Sequence, residues 1–255
     1  MISVFTTNSF VMESIAKLYT RKISKNFFSY HGNWTPSDPI ELGDFGYLKK
    51  GVFLKQGNIF DNNEIQLKKN TKKMNNHNSF VFYDKTCTVT KTNISGNQSI
   101  KVNFSIDFKK KHAIFLKGFN VSHLEIKNKD EIGKFIINQF YNDKWHFDYY
   151  IVTRLKKYDK AIVAVSDSQN SCINIELSTS CLESLEINSP SGSFSLSNVS
   201  NINHVYDLKK ATIMIELSKL EDIDNKGLEL KTSCYKSGKD RFVEMFRRSP
   251  SKRLH

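Results

Sequence analysis

The chain has little cysteine, proline and glycine, and it has no long apolar run. Its four cysteines are far apart and form no C-x-x-C pair, which argues against a zinc site. No stretch reaches the roughly 18 to 20 apolar residues of a membrane-spanning helix. The N-terminus lacks the charged and apolar regions of a secretory signal. These absences predict a cytoplasmic protein with reduced thiols and no metal.

Motifs of catalytic sites are also missing. The seven histidines are scattered, and none lies in an H-E-x-x-H setting. There is no G-x-S-x-G elbow and no phosphate-binding G-x-x-x-x-G-K-[ST] loop. We therefore expect a protein that is not an enzyme and needs no cofactor. An enzyme whose site is assembled from distant residues is kept as a third hypothesis, because distance along the chain says nothing about pairing in space.

The charge is strongly positive. Lysine and arginine total 38 against 26 acidic residues, which gives a net charge of +12. An excess of this size favours nucleic acid, anionic lipid or an acidic protein as partner. The abundance of lysine, asparagine and isoleucine is also what AT-biased coding would produce without any binding role. Charge alone therefore selects a class of partner and not a function.

Helical and strand periodicities both occur. Residues 9–28 and 129–142 have the apolar spacing of amphipathic helices. Most other segments alternate apolar and polar residues, as half-buried strands do, and 161–165 is apolar on both faces, as a central strand would be. The expected class is α+β, mainly antiparallel twisted sheet with an N-terminal amphipathic helix and one central helix. After 145 the strands are expected at 148–155, 161–167, 172–179, 192–199, 211–218 and 227–231.

The clearest alternating runs each lead into a lysine cluster. The run 102–108 is followed by Lys109, Lys110 and Lys111, and the run 149–155 is followed by Lys156 and Lys157. After each cluster the alternation resumes, so the pattern predicts amphipathic hairpins with basic tips. Cations at strand ends would sit at the headgroup level of an anionic leaflet. The predicted lipid-contacting residues are Lys17, Arg21, Lys22 and Lys25 on the first helix, with Lys109, Lys110, Lys111, Lys156 and Lys157 at the tips.

One domain is expected over 1–235. It includes a turn-rich segment at 29–63 and a polar loop at 64–78, which has almost no apolar anchor. Residues 236–255 form a basic tail, for which we expect a regulatory role.

The layout resembles the short prokaryotic gasdermin-like pore-forming proteins. The resemblance lies in the basic first helix, the apolar segment ending in 54–59, and the run 145–153 leading into 161–166. It implies a soluble autoinhibited monomer that a protease activates by removing a C-terminal piece, here the tail from about Lys236. Membrane insertion and large homo-oligomeric pores would follow, often in cell-suicide defence. Members often carry a lipidated cysteine near the N-terminus, whereas the first cysteine here is Cys87.

The sequence therefore favours a non-enzymatic effector that binds anionic membranes and forms pores when autoinhibition is released. It would be cytoplasmic, with conditional membrane association. The alternative is a soluble basic module that binds nucleic acid or an acidic protein partner. Salt-dependent binding to nucleic acid without lipid preference would distinguish the alternative.

Overall fold

A computed structural model describes residues 5–61, 70–76, 80–95, 100–179, 193–223 and 227–233. Within these residues lie the helices α1 (Phe5–Asn26) and α2 (Lys129–Tyr141). The strands, in chain order, are β1 (Tyr30–Gly32), β2 (Asp44–Lys49), β3 (Val52–Asn58), β4 (Thr71–Asn76), β5 (Phe80–Tyr83), β6 (Cys87–Ser95), β7 (Ile100–Phe108), β8 (Ile114–Ile126), β9 (Tyr150–Val165), β10 (Ser171–Thr179), β11 (Ser193–Ser200), β12 (His204–Ile223) and β13 (Gly227–Thr232).

The long strand β9 lies at the centre of the larger sheet. β12 pairs along one of its edges, and β8 and β2 pair along the other. β1 and β13 continue the sheet beyond β12, β4 and β5 pair with β8, and β3 pairs with β2. Every pairing among the described strands is antiparallel. The expected α+β class, mainly antiparallel with an N-terminal and a central helix, is confirmed.

A smaller sheet, in the order β11-β10-β7-β6, packs on part of the larger one. Its strands bury alternate side chains, such as Phe104 and Ile106 of β7 and Ile175 of β10. These contact Phe115 of β8 and Ile162 of β9 in one apolar cluster. The two sheets therefore share a core, which explains the strong alternation of these strands in the sequence.

The two helices cover opposite faces of the larger sheet. α1 buries Ile15, Tyr19 and Ile23 against the face that carries Leu116. The next residue of that strand, Phe115, faces the smaller sheet instead. α2 packs beside the smaller sheet, on the same face, through Ile132, Ile136 and Phe140.

Three adjacent strands are interrupted at the same level, without a change of register between them. Asn120 of β8 and Lys210 of β12 have positive φ values of 51° and 53°, and their pairing with β9 skips them and Asp159. Asn120 Nδ2 donates to Asp159 Oδ2 at 3.1 Å. The interruption shifts the alternation of faces along β9. Across this line, which we call the crease, Tyr158 and Ala161 face α1 although they are three residues apart.

The two predicted hairpins are wrong. β7 belongs to the smaller sheet and β8 to the larger one, so Lys109–Lys111 link two sheets and are not a hairpin tip. β9 continues through Lys156 and Lys157, so the segments 148–155 and 161–167 are one strand. The reason is the crease: a change in the phase of alternation looks like a strand end in the sequence.

Other boundaries differ less. The first helix is observed at 5–26 where 9–28 was expected, and the segment 29–63 contains β1, β2 and β3. The expected polar loop 64–78 contains β4, which pairs with β8 over Thr71–Asn76. Residues 62–69, 77–79 and the tail 236–255 lie outside the described residues.

Candidate functional site

The solvent side of α1 is cationic. Lys17, Arg21 and Lys25 are exposed, and their i, i+4, i+8 spacing places them on one stripe. The opposite stripe, with Tyr19 and Ile23, is fully buried against the larger sheet. The helix is thus held by its apolar side and presents its cations to solvent, as the sequence predicts.

Lys22 is placed differently from its neighbours. It is half-buried, forms an ion pair with Asp84, and donates to the backbone oxygen of His112 at 2.8 Å. It therefore fastens α1 to the segment that carries the lysine cluster. This contact brings Lys109–Lys111 close to the end of α1 that carries Arg21.

The link between the two sheets has a fixed conformation. Ser166 Oγ donates to the oxygen of Lys110 at 2.8 Å and accepts from the amide of Ala113 at 2.9 Å. His112 takes the left-handed conformation, with φ 65°, and its amide donates to the oxygen of Ser166. Lys109, Lys110 and Lys111 are all exposed on this fixed segment. The exposure of these three lysines is therefore fixed by the backbone contacts of the segment.

A second turn adds cations at the middle of α1. Gly51 follows β2 with φ 87°, and a Cβ there would lie 2.7 Å from Lys17 Cα. Glycine at this position permits the β2–β3 turn to touch the helix backbone. The exposed Lys49 and Lys50 of that turn therefore lie beside Lys17. We use the name basic surface for Lys17, Arg21, Lys25, Lys49, Lys50, Lys109, Lys110 and Lys111.

Lys156 and Lys157 do not join this surface. Both lie inside β9 and are half-buried. Lys156 Nζ lies 4.7 Å from the ring centre of Tyr30, a cation–π contact, and burial lowers its pKa. Lys157 is paired in register with Thr212 and Ser122 on the neighbouring strands. The placement of these two lysines at a hairpin tip is therefore wrong.

One aromatic residue beside the basic surface is 86% exposed: Phe28, just after α1. The neighbouring Phe27 points inward, with its ring 5.3 Å from those of Phe80 and Phe82. Ser29 holds the turn in a left-handed conformation, with φ 69°. Such strain in a residue other than glycine needs outside support. Helical spacing in the sequence places Phe27 on the apolar stripe of the first helix and leaves Phe28 off it, but it does not predict that Phe28 is held exposed.

That support comes from a buried carboxylate. Glu216 is 3% exposed and accepts a hydrogen bond from Ser29 Oγ at 2.8 Å. Arg154 and Lys129 balance its charge, with nitrogen–oxygen distances of 3.1 and 3.4 Å. Arg154 also bonds Glu125 at 2.8 Å and thereby lowers the pKa of that carboxyl. The outward turn of Phe28 is thus anchored to β8, β9, β12 and α2.

The side chains that could act in catalysis do not form a complete catalytic set in the described part of the chain. Burial raises the pKa of the Cys87 thiol to about 12, so it is protonated at neutral pH. His204 Nε2 lies 3.4 Å from Asp167, but among the described residues no hydroxyl or thiol bonds this histidine. The same residues hold no group of three or more metal-ligating side chains.

No protein-family model and no curated protein matches this chain. The function therefore has to be argued from its geometry. Neither described helix has the length and apolarity to cross a bilayer. Four residues fix the geometry of the basic surface and of Phe28: Lys22, Ser29, Gly51 and Ser166. We therefore take this surface as the candidate functional site.

Proposed function

We propose that this protein is a non-enzymatic effector that binds anionic membranes through the basic surface. The proposal rests on the exposure of Phe28, whose ring a strained turn keeps in solvent beside Lys25. An exposed aromatic ring flanked by cations is the combination that interfacial membrane binding uses. Lys22 and Lys156 are left out of the contact because their side chains are engaged within the fold. Lys157 is left out because it lies half-buried inside β9, away from the basic surface.

On the membrane we propose that copies of the chain assemble into a pore. The resemblance to gasdermin-like proteins supports this step, together with the length of strands β9 and β12, which have 16 and 20 residues. Removal of the basic tail 236–255 by a protease would release the protein from a cytoplasmic resting state.

Vesicle binding tests the contact. Substituting Lys109, Lys110 and Lys111 with Glu should weaken binding to phosphatidylserine-containing vesicles about a hundredfold, since each cation near an anionic surface contributes about 1 kcal/mol. The matched control reverses three exposed lysines on the other side of the larger sheet: Lys91, Lys134 and Lys209. Equal losses in both variants would show that binding follows net charge and not this surface.

Dye release from the same vesicles tests the pore. Intact protein should release no dye, and protein cleaved after about Lys236 should release it. If neither the intact nor the cleaved protein releases dye while both are folded, the proposed pore is refuted.

Nucleic acids and lipid headgroups both carry phosphate groups that this surface could bind. A parallel binding assay with single-stranded DNA therefore distinguishes the two ligands. Binding of single-stranded DNA that falls steeply with salt, without binding to vesicles, would replace the membrane proposal with the soluble module.

A further inference from the structure

A cavity of about 360 Å³ lies between the β2–β3 strands and α2, far along the larger sheet from the crease. Ligand sites for small molecules usually enclose about 300 to 1,000 Å³. The cavity is lined only by described residues and does not include the basic surface. It is therefore a separate candidate site.

Its walls are aromatic and preformed. Phe45 of β2 and Trp145 have ring centres 5.0 Å apart, and Tyr149 packs against each of them at 5.3 Å. A Cβ at Gly57 of β3 would lie 3.0 Å from two atoms of the Phe45 ring. The absence of a side chain at Gly57 therefore lets this ring pack closely against β3. Phe135 of α2 lines the cavity as well. Rings fixed by other rings lose little freedom when a flat ligand packs on them.

Polar side chains also line this cavity, and those of Gln139, Lys144 and Asp61 form no side-chain hydrogen bond or ion pair among the described residues. Gln139 lies near the end of α2 and Lys144 follows the helix, and the Lys144 amide donates to the backbone oxygen of Gln139 at 2.9 Å. The turn after β3 supplies Asp61. The indole nitrogen of Trp145, a residue only 7% exposed, also has no acceptor. A buried donor without a partner is costly, and such groups are uncommon in folded proteins.

We propose that this cavity binds a flat ring compound that has a hydrogen-bonding edge and one negatively charged group. The aromatic walls supply stacking surface, and the Gln139 amide can both donate to and accept from a ring edge. The Asp61 carboxylate accepts from a ring amino or N–H group, and the Lys144 ammonium meets the negative group. Nucleoside monophosphates and aromatic carboxylates share this chemistry. The inference does not depend on membrane binding.

Tryptophan fluorescence of the full chain is a direct test. Trp34→Phe leaves Trp145 as the only tryptophan. The probes are the four common nucleoside 5′-monophosphates, indole-3-acetate and 4-hydroxybenzoate, with inorganic phosphate as the probe without a ring. Calorimetric titration of the unsubstituted chain gives the same answer if the Trp34 substitution impairs folding.

We expect saturable binding of at least one ring compound and none of phosphate. Lys144→Ala should weaken that binding about fivefold, as expected for one partly solvated charge contact, and Lys134→Ala on the same helix should leave it unchanged. Selectivity among the probes then identifies the source of the ligand. Absence of binding to every probe at about 1 mM, or equal effects of the two lysine substitutions, would overturn the proposal.

Discussion

Replacing Phe28 with Ala should weaken membrane binding and leave the fold intact. The side chain is 86% exposed, so its truncation removes almost no packing. Burying a phenylalanine side chain contributes about 1.5 to 3 kcal/mol, and insertion at an interface is partial. We therefore expect a loss of about 1 to 2 kcal/mol, which corresponds to a roughly fivefold to thirtyfold weaker vesicle affinity.

Phe27→Ala is the matched control at the neighbouring position. This ring packs edge-on against Phe80 and Phe82, so its loss should lower the free energy of unfolding by about 2 kcal/mol. The two variants should therefore differ in opposite ways: Phe28→Ala in vesicle binding and Phe27→Ala in stability. Cosedimentation with phosphatidylserine-containing vesicles and urea unfolding measure the two quantities.

The result that would refute the reasoning is specific. If Phe28→Ala binds vesicles as the unsubstituted chain does, while reversal of Lys109–Lys111 abolishes binding, contact is purely electrostatic. The strained turn at Ser29 would then have no role in membrane binding. High salt helps to separate the two contributions, because it screens the lysines and leaves the apolar part in place.

Three further predictions concern the fold and its response to pH. Gly118→Ala should cost about 1 to 3 kcal/mol in urea unfolding, because its Cβ would lie 2.3 Å from the buried Tyr158 ring, and Tyr158→Leu should recover part of that loss. An unchanged midpoint would contradict this packing. Ser166→Ala should speed hydrogen exchange of the Ala113 amide at least tenfold, because it removes that amide's acceptor; equal exchange rates would count against a fixed link. Burial lowers the pKa of His31 below its usual value near 6.5, so its protonation opposes folding. Unfolding free energy should thus fall less between pH 7 and pH 5 in His31→Gln than in the unsubstituted chain, and parallel curves would exclude this contribution.

The buried network around Glu216 links features that look separate in the sequence. Arg154 lies 62 residues before Glu216, and Lys129 lies 87 residues before it. Removing one partner of a buried ion pair leaves an uncompensated charge, which is far more costly than the pair itself is stabilising. The network therefore ties the turn of Phe28 to α2, on the other face of the larger sheet.

The sequence by itself determined the class of the fold and the buried faces of its elements. Helical spacing placed Ile132 and Ile136 on the buried side of α2, and the apolar run at 161–165 marked the central strand. These results follow because periodicity reports directly which side of an element meets the core. The sequence likewise placed Lys17, Arg21, Lys22 and Lys25 on the basic side of the first helix, and all of them except the half-buried Lys22 are exposed.

Only the tertiary structure decided which strands pair and which cations stand together. Alternation identifies a buried face but not a partner, so β7 and β8 looked like a hairpin although they lie in different sheets. The interruption at Asp159 shifted the alternation of faces and looked like a turn. Lys22 and Phe28 depended on contacts with Asp84 and Glu216, distant positions that no local pattern encodes. A surface assembled from separate segments exists only once the chain has folded.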